Sequence, residues 1–133
     1  MQEIKELLSQ HFGVLTTHSE YPYPSLVAFS FDNMKELYFA TGKSTRKYKN
    51  MMNSDKVSLM VFKLAKRIVD GSSLTAYGRV DEIKSVGDRY NQFLSIHKEL
   101  KSFLSEPDCV LMRIKVQKYM LVTNFQEIKE FTP

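Results

Sequence analysis

The sequence feature that most constrains this chain is a series of short strand-like runs separated by turns. These runs occupy residues 14–17, 25–31, 37–40, 57–62, 72–83, 110–116 and 119–125. Short turns between successive strands favour antiparallel pairing, because a parallel pair needs a long crossover connection. The pattern therefore predicts an α+β fold, a six- to seven-stranded and mostly antiparallel sheet closed into a small β-barrel with two or three flanking helices.

Several residues are expected to interrupt or bend these strands. The Tyr21-Pro22-Tyr23-Pro24 stretch should separate the first two strands, because proline cannot donate to a central ladder. Gly78 should mark a bulge in the long strand 72–83. Gln117-Lys118 either joins two separate strands or lies in a bulge of one continuous strand. The run from Tyr119 to Phe125 is expected to be the last strand.

Apolar residues recur at helical spacing in three segments. From Ile4 to Phe12 they predict a helix that ends at Gly13. A short helix is expected after the third strand, with Ser44 as its N-cap. From Tyr90 to Leu104 they predict a further helix that carries a half-buried His97. That histidine is not expected to bind metal, because the chain's three histidines have no metal-binding spacing.

Length and composition indicate the class of protein. A chain of 133 residues is expected to form a single domain, residues 1–133. Its one cysteine, Cys109, excludes an internal disulfide. No apolar run approaches the ~20 residues of a membrane helix, and the N-terminus resembles no signal peptide. The net charge of +4 is too small to indicate nucleic acid. We therefore expect a cytoplasmic protein that binds neither membrane nor nucleic acid.

The stretch from Thr41 to Asn50 is the clearest indication of a binding site. Gly42 can open a turn, and Arg46 and Lys47 fall in the first turn of the following helix. The helix macrodipole already makes that end positive, so cations there are disfavoured unless an anion lies nearby. Free N–H groups, hydroxyls and two cations together suit a phosphate. The alternative interpretation is a solvated basic turn.

The order of motifs along the chain resembles a known family. The motifs are Ser25–Phe31, Leu37–Thr41, Ser44–Lys47, Asn53–Leu59 and Tyr77–Val80. This order looks like that of the pyridoxamine 5′-phosphate oxidase-like, FMN-binding split β-barrels, and the resemblance covers about Gly13 to Phe125. It implies a homodimer with FMN bound in clefts between the two subunits.

The resemblance also assigns residues to the FMN phosphate. Arg46 and Lys47 would bind it, with Thr41, Ser44 and Thr45 adding hydroxyl or backbone hydrogen bonds. Arginine offers a planar fork and lysine a point charge, and both suit a phosphate dianion. The charge argument made from the residues alone leads to the same two cations.

A second group of residues is assigned to the flavin ring by the same resemblance. Ser25 to Ser30 matches the strand that runs beside the ring and the ribityl chain, with Val27 and Ala28 nearest. Ser73 falls where family members place a polar side chain against the ring. The alternative for Ser25 and Ser73 is ordinary sheet polarity.

Two departures from the founding enzymes bear on activity. The chain has no Trp, and it ends at Thr132-Pro133 without the paired arginines that bind the substrate phosphate in vitamin B6 oxidases. The resemblance therefore implies an FMN-dependent oxidoreductase of unknown substrate rather than a true pyridoxamine phosphate oxidase. Its expected partners are a small-molecule substrate or a reduced nicotinamide donor.

A carrier without turnover is the alternative function. The barrel could hold a flavin, a deazaflavin (F420) or a haem without catalysing a reaction. Deazaflavin also carries a phosphate, so Arg46 and Lys47 do not distinguish it from FMN. Haem would need an axial ligand, and none of the histidines is placed to be predicted as one. No catalytic acid or base is predicted.

Overall fold

Seven antiparallel strands form one sheet in the computed structural model, which describes residues 2–84 and 87–133. The strands are β1 Phe12–Thr17, β2 Tyr23–Asn33, β3 Glu36–Gly42, β4 Lys56–Lys63, β5 Ser72–Ile83, β6 Cys109–Thr123 and β7 Glu127–Phe131. Their order is β3-β2-β1-β4-β5-β6-β7, and β3 also pairs with β6. That last pairing closes six strands into a barrel, so the predicted α+β barrel is confirmed.

The helices are short and lie outside or at the ends of the barrel. They are α1 Gln2–Leu8, α2 Arg46–Asn53, α3 Asp88–Ile96 and α4 Lys101–Leu104, with 3-10 turns at Ile68–Asp70 and Lys98–Leu100. Four α-helices in the described residues replace the two or three expected, because the predicted helix 90–104 is broken after Ile96. His97 is buried there rather than half-buried, and its Nε2 donates to the carbonyl oxygen of Phe29 at 2.8 Å.

The chain enters the barrel earlier than predicted. The first helix ends at Leu8, and His11, with a φ of 64°, makes the turn that was assigned to Gly13. Phe12 already belongs to β1. Gly13 has a different role, because a Cβ there would lie 2.9 Å from the carbonyl oxygen of Met60. The glycine therefore allows β1 to approach β4 closely.

Only one of the two prolines lies between β1 and β2: Pro22 belongs to the loop of residues 18–22. Pro24 lies inside β2, opposite Thr16 of β1. The pairing of β2 with β3 begins only at Phe29, so β2 has one hydrogen-bonded neighbour at Pro24. A proline is tolerated at such an unpaired edge because its missing N–H would face no partner strand. The predicted break is therefore found at Tyr21-Pro22 and not at Tyr23-Pro24, which belong to β2.

Strand β6 is continuous, in agreement with the second of the two alternatives for Gln117-Lys118. Tyr77 pairs with Lys118 and Gly78 pairs with Val116, so Gln117 is the extra residue of a bulge. Gly78 lies opposite it, so the pairing is irregular at the predicted position, but the extra residue belongs to β6 and not to the strand 72–83. The run 119–125 is not the last strand, because β6 ends at Thr123 and β7 pairs with it further along.

Two clusters of buried side chains hold these elements together. The larger fills the barrel and includes Leu15, Phe29, Phe39, Leu59, Leu74, Met112, Ile114 and Tyr119, with Ile4, Leu7 and Leu8 of α1 packed at one end. The smaller lies outside the barrel and contains Tyr38, Phe93, Leu104 and Leu111. Leu37 and Phe39 of β3 belong to the larger cluster and Tyr38 to the smaller, so β3 is buried on both faces where it leads into the basic turn.

Replacing Gly78 by Ala should destabilise the fold. An added Cβ would overlap the backbone carbonyl oxygen of Lys115, which cannot move without disturbing β6. We expect a loss of about 1–3 kcal/mol in the free energy of unfolding, measured by urea denaturation. Gly71→Ala is the control, because its nearest atom would be the Ile68 carbonyl oxygen at 3.3 Å. Equal stability of the two variants would contradict the packing argument.

Candidate anion-binding site

Thr45, and not Ser44, caps the helix that follows the basic turn. Thr45 has extended backbone angles (φ −78°, ψ 156°), and its side chain accepts a hydrogen bond from the N–H of Tyr48. Its Oγ1 also donates to the carbonyl oxygen of Gly42 at 2.7 Å. The predicted cap, Ser44, instead donates its hydroxyl to Oδ2 of Asp108 at 3.0 Å. The predicted N-cap is therefore wrong by one residue.

The hydroxyl groups of the turn are occupied by internal hydrogen bonds. Thr41 is buried, and its Oγ1 lies 3.1 Å from Oγ1 of Thr45. Thr45 already bonds Gly42 and Tyr48, and Ser44 bonds Asp108. Their primary effect is to fix the shape of the turn. Direct contact of these hydroxyls with a ligand stays a prediction, and it would require the internal bonds to rearrange.

The cations of the turn differ in whether they have a carboxylate partner. Lys43 Nζ lies 4.0 Å from Oε2 of Glu82. In the described part of the chain, no carboxylate oxygen comes within ion-pair distance of Arg46 or Lys47. Arg46 Nη2 reaches only the hydroxyl of Ser19, at 3.4 Å. The turn thus carries two cations whose charge the protein does not balance.

Helix geometry strengthens the positive potential at this point. Arg46 and Lys47 are the first two residues of α2, and the N–H groups of a helix's first residues have no partner within the helix. The macrodipole places partial positive charge at the same end. Partial burial of the Lys47 ammonium lowers its pKa. An anion bound here would relieve all of these costs together.

The residues predicted to contact the flavin ring are spread over the barrel. The hydroxyl oxygen of Ser25 is buried and has no hydrogen-bond partner among the described residues. Val27 belongs to the core, so only its backbone could contact a ligand. Ala28 pairs with Phe12 of β1, on the opposite face of the strand from Val27. Ser73 lies on β5, three strand spacings from β2, or about 14 Å. One chain therefore does not bring Ser73 to Ala28.

An apolar surface that was not predicted from the sequence lies on the outside of the barrel. Leu26 pairs with Val14, and Val14 pairs with Met60, so the three lie side by side on adjacent strands. Leu26 is 73% exposed, and Phe12 and Phe62 beside this row are 55% and 41% exposed. We call these five residues the outer apolar face. The signal was present in the strand 25–31, which is apolar on both sides.

Other kinds of site find no support in residues 2–84 and 87–133. No group of three or more His, Cys, Asp or Glu side chains there could hold a metal ion. None of the helices there is long and apolar enough to cross a bilayer. The basic turn and the outer apolar face are therefore the features to compare with known proteins.

The fold and the turn define a class, an antiparallel α+β barrel with an anion-attracting helix N-terminus after its third strand. A family model described as pyridoxamine 5′-phosphate oxidase matches residues 1–123. The chain therefore belongs to the pyridoxamine 5′-phosphate oxidase family, as the order of its motifs predicted. No curated protein matches it.

Solved structures share the fold at low sequence identity. The heme binding protein from Mycobacterium smegmatis has a TM-score of 0.80 at 15% identity, covering 95% of this chain and 55% of that protein. General Stress Protein 26 from Bacillus anthracis str. Sterne has 0.74 at 22%, covering 98% and 97%. A FAD-binding protein from Mesorhizobium loti has 0.71 at 17%, covering 90% and 91%. The chain spans about half the length of the mycobacterial protein.

Replacing Thr45 by Ala should weaken the turn more than replacing Ser44. Thr45→Ala removes the helix cap and the bond to Gly42, and we expect it to lower the free energy of unfolding by about 1 kcal/mol. Ser44→Ala removes one exposed hydrogen bond to Asp108 and should cost less. Urea denaturation of both variants measures the difference. A larger loss from Ser44→Ala would contradict the assignment of the cap.

Proposed function

We propose that the protein is an FMN-binding oxidoreductase that holds the cofactor phosphate at the N-terminus of α2. The observation that carries the proposal is the pair Arg46 and Lys47, neither of which has a carboxylate partner among the described residues. A phosphate dianion supplies the missing negative charge. The family supports a flavin, and the structural neighbour from Mesorhizobium loti is a FAD-binding protein.

Different residues of the turn would bind the cofactor phosphate and maintain the shape of the turn. The guanidinium of Arg46 and the ammonium of Lys47 would bind phosphate oxygens, together with the N–H groups of the same two residues. Thr41 and Thr45 would keep the turn in shape through their mutual hydrogen bond. When bound, FMN supplies hydride or electron transfer. The protein's part is to bind and orient it and to exclude water.

The strand β2 is the part of the barrel that we propose to run beside the flavin. The unpartnered Ser25 hydroxyl is a polar group there that a cofactor could satisfy. Ser25 shares the face of Val27, so a ligand that contacts the Ser25 hydroxyl would meet Val27 and Ala28 through their backbone. This interpretation agrees with the resemblance and needs no change in the core.

We further propose that two copies of the chain associate through the outer apolar face. Exposed apolar patches of this kind mark association surfaces, and the symmetric dimer is the commonest soluble assembly. A dimer also offers a role for Ser73, because the partner's Ser73 could approach a flavin bound to this chain. A cytoplasmic location fits a chain whose one cysteine, Cys109, is buried and can form no internal disulfide.

Removing the two cations should weaken FMN binding. Arg46→Ala and Lys47→Ala should each cost about 1.5–3 kcal/mol of binding free energy, since each removes charged hydrogen bonds to the phosphate. Quenching of flavin fluorescence measures the affinity. The unfolding free energy of the FMN-free protein should be unchanged or slightly higher, because a cation leaves the helix N-terminus.

Lys49→Ala is the matched control for this experiment. Lys49 lies on the same helix, is exposed, and comes after the first turn. It should bind FMN as the parent protein does. If the double variant of Arg46 and Lys47 also bound FMN with unchanged affinity, the phosphate assignment would be wrong.

A charge on the outer apolar face should separate the proposed dimer. Leu26→Glu should shift the molecular mass measured by light scattering from that of two chains to that of one, because a carboxylate would be buried in the contact. Lys129→Glu on β7 is the control and should leave the mass unchanged. A parent protein that is monomeric at high concentration would refute the dimer.

Haem or deazaflavin binding is the second candidate. The mycobacterial neighbour, a heme binding protein, supports haem. Against it, the Nε2 of His97 already donates to Phe29, which leaves that nitrogen unavailable to iron. The absorbance spectrum distinguishes the cofactors, because flavin absorbs at about 450 nm, deazaflavin at about 420 nm and haem at its Soret band.

The reaction partner of the proposed FMN-dependent enzyme would be a small-molecule substrate or a reduced nicotinamide.

A further inference from the structure

A separate cavity of about 310 Å³ lies on the outside of the barrel, beside the loop that follows β1. Its volume is at the lower end of the range for ligand pockets. The side chains that could contact a ligand there are Thr16, His18, Lys56, Ser58, Tyr77 and Gln117. None of these residues belongs to the predicted FMN site.

The floor of the cavity is set by strand register. Thr16 pairs with Ser58, and Ser58 pairs with Tyr77, so the three side chains form a row across β1, β4 and β5. The flanking Leu15 and Leu59 point into the core. Alternation along the strands therefore turns three hydroxyl groups outward at one level of the barrel.

The wall of the cavity is made by the bulge in β6. Gln117 is the unpaired residue between Val116 and Lys118, and it lines the cavity next to Gly78. Bulges re-aim a side chain and are common beside binding sites. This one requires a glycine at position 78, since a Cβ would overlap the carbonyl oxygen of Lys115. The glycine at position 78 therefore allows the bulge that places the Gln117 carboxamide at the cavity.

The lining of the cavity carries one positive charge, that of Lys56. Lys56 and His18 line it, and no lining residue in the described part of the chain is acidic. Lys118 lies near the rim, with its Nζ 5.3 Å from the centre of the Tyr77 ring, but its charge is balanced by Glu130, whose Oε1 is 3.6 Å from Nζ. The nearby Asp55 is engaged elsewhere, by Arg79 Nη1 at 2.8 Å. Hydroxyls, an amide, an imidazole and one lysine without a carboxylate partner among the described residues are groups that can recognise a small anion.

We propose that this cavity binds a small organic anion, a carboxylate or a phosphate ester, at a site distinct from the FMN phosphate turn. The two sites are connected through the loop after β1. Asn50 of α2 donates to Oγ1 of Thr17 at 3.0 Å, and Arg46 donates to Ser19 at 3.4 Å. An anion in the cavity would therefore lie one short loop away from the cofactor helix.

The test is an NMR titration of the isotope-labelled protein with sodium phosphate and, separately, with sodium benzoate. Both are run without FMN and with saturating FMN. The expected result is saturable shifts at the amides of Ser58, Tyr77 and Gln117 with at least one probe, also when FMN is present. The probe that binds more tightly tells a phosphate ester from a carboxylate. Failure of FMN to bind leaves the FMN-free arm valid.

Two variants and a control make the result specific. Lys56→Gln should raise the dissociation constant of the bound probe about tenfold, the effect of losing one charged hydrogen bond. Gln117→Ala should raise it less, and Lys129→Gln should not change it. The proposal is overturned if neither probe binds, if only the amides of Arg46 and Lys47 shift, if Lys56→Gln binds normally, or if FMN displaces the probe from the cavity.

Discussion

Closure of the barrel through β6 is the constraint on which the rest of the structure depends. One edge of β6 pairs with β5, while its other edge pairs first with β3 and then with β7. The β3 pairing ends with Gly42 opposite Cys109. This pairing therefore places Asp108 beside the basic turn. The carbonyl oxygen of Asp108 accepts a hydrogen bond from the N–H of Lys43 at 2.7 Å, and its carboxylate accepts one from the Ser44 hydroxyl.

The position of Asp108 determines which parts of the turn remain available to a ligand. The carboxylate of Asp108 accepts a hydrogen bond from the Ser44 hydroxyl. Glu82 of β5 lies near Lys43 and accepts a hydrogen bond from the Tyr48 hydroxyl. The acids that the sheet brings in thus satisfy one end of the turn. The first two residues of α2 receive none, within the chain that the structure describes, although the helix end makes their charge most costly there. The turn is divided into a structural half and an anion-attracting half.

Sequence patterns predicted what depends on local spacing and missed what depends on distant neighbours. The strand 72–83, the irregular pairing at Gly78 and the two cations of the turn follow from periodicity, glycine placement and charge. The choice of Thr45 over Ser44 does not, because both are good caps and Asp108, 64 positions from Ser44 in sequence, decides between them. Strand β7 was missed because its residues are mostly exposed and show no clear alternation of burial. It forms only because β6 offers an unpaired edge.

The barrel alone does not choose the cofactor, since structures with this fold include proteins described as FAD-binding and as heme binding. The choice must lie in side chains outside the core. Among the described residues the one buried histidine is His97, and its Nε2 donates a hydrogen bond to a backbone carbonyl. That nitrogen is therefore not available to bind iron. The cations of α2 have no internal partner, which favours a ligand that brings its own negative charge. A phosphate-bearing cofactor is therefore favoured by the donors and charges that the protein leaves without internal partners, and the fold supplies only their positions.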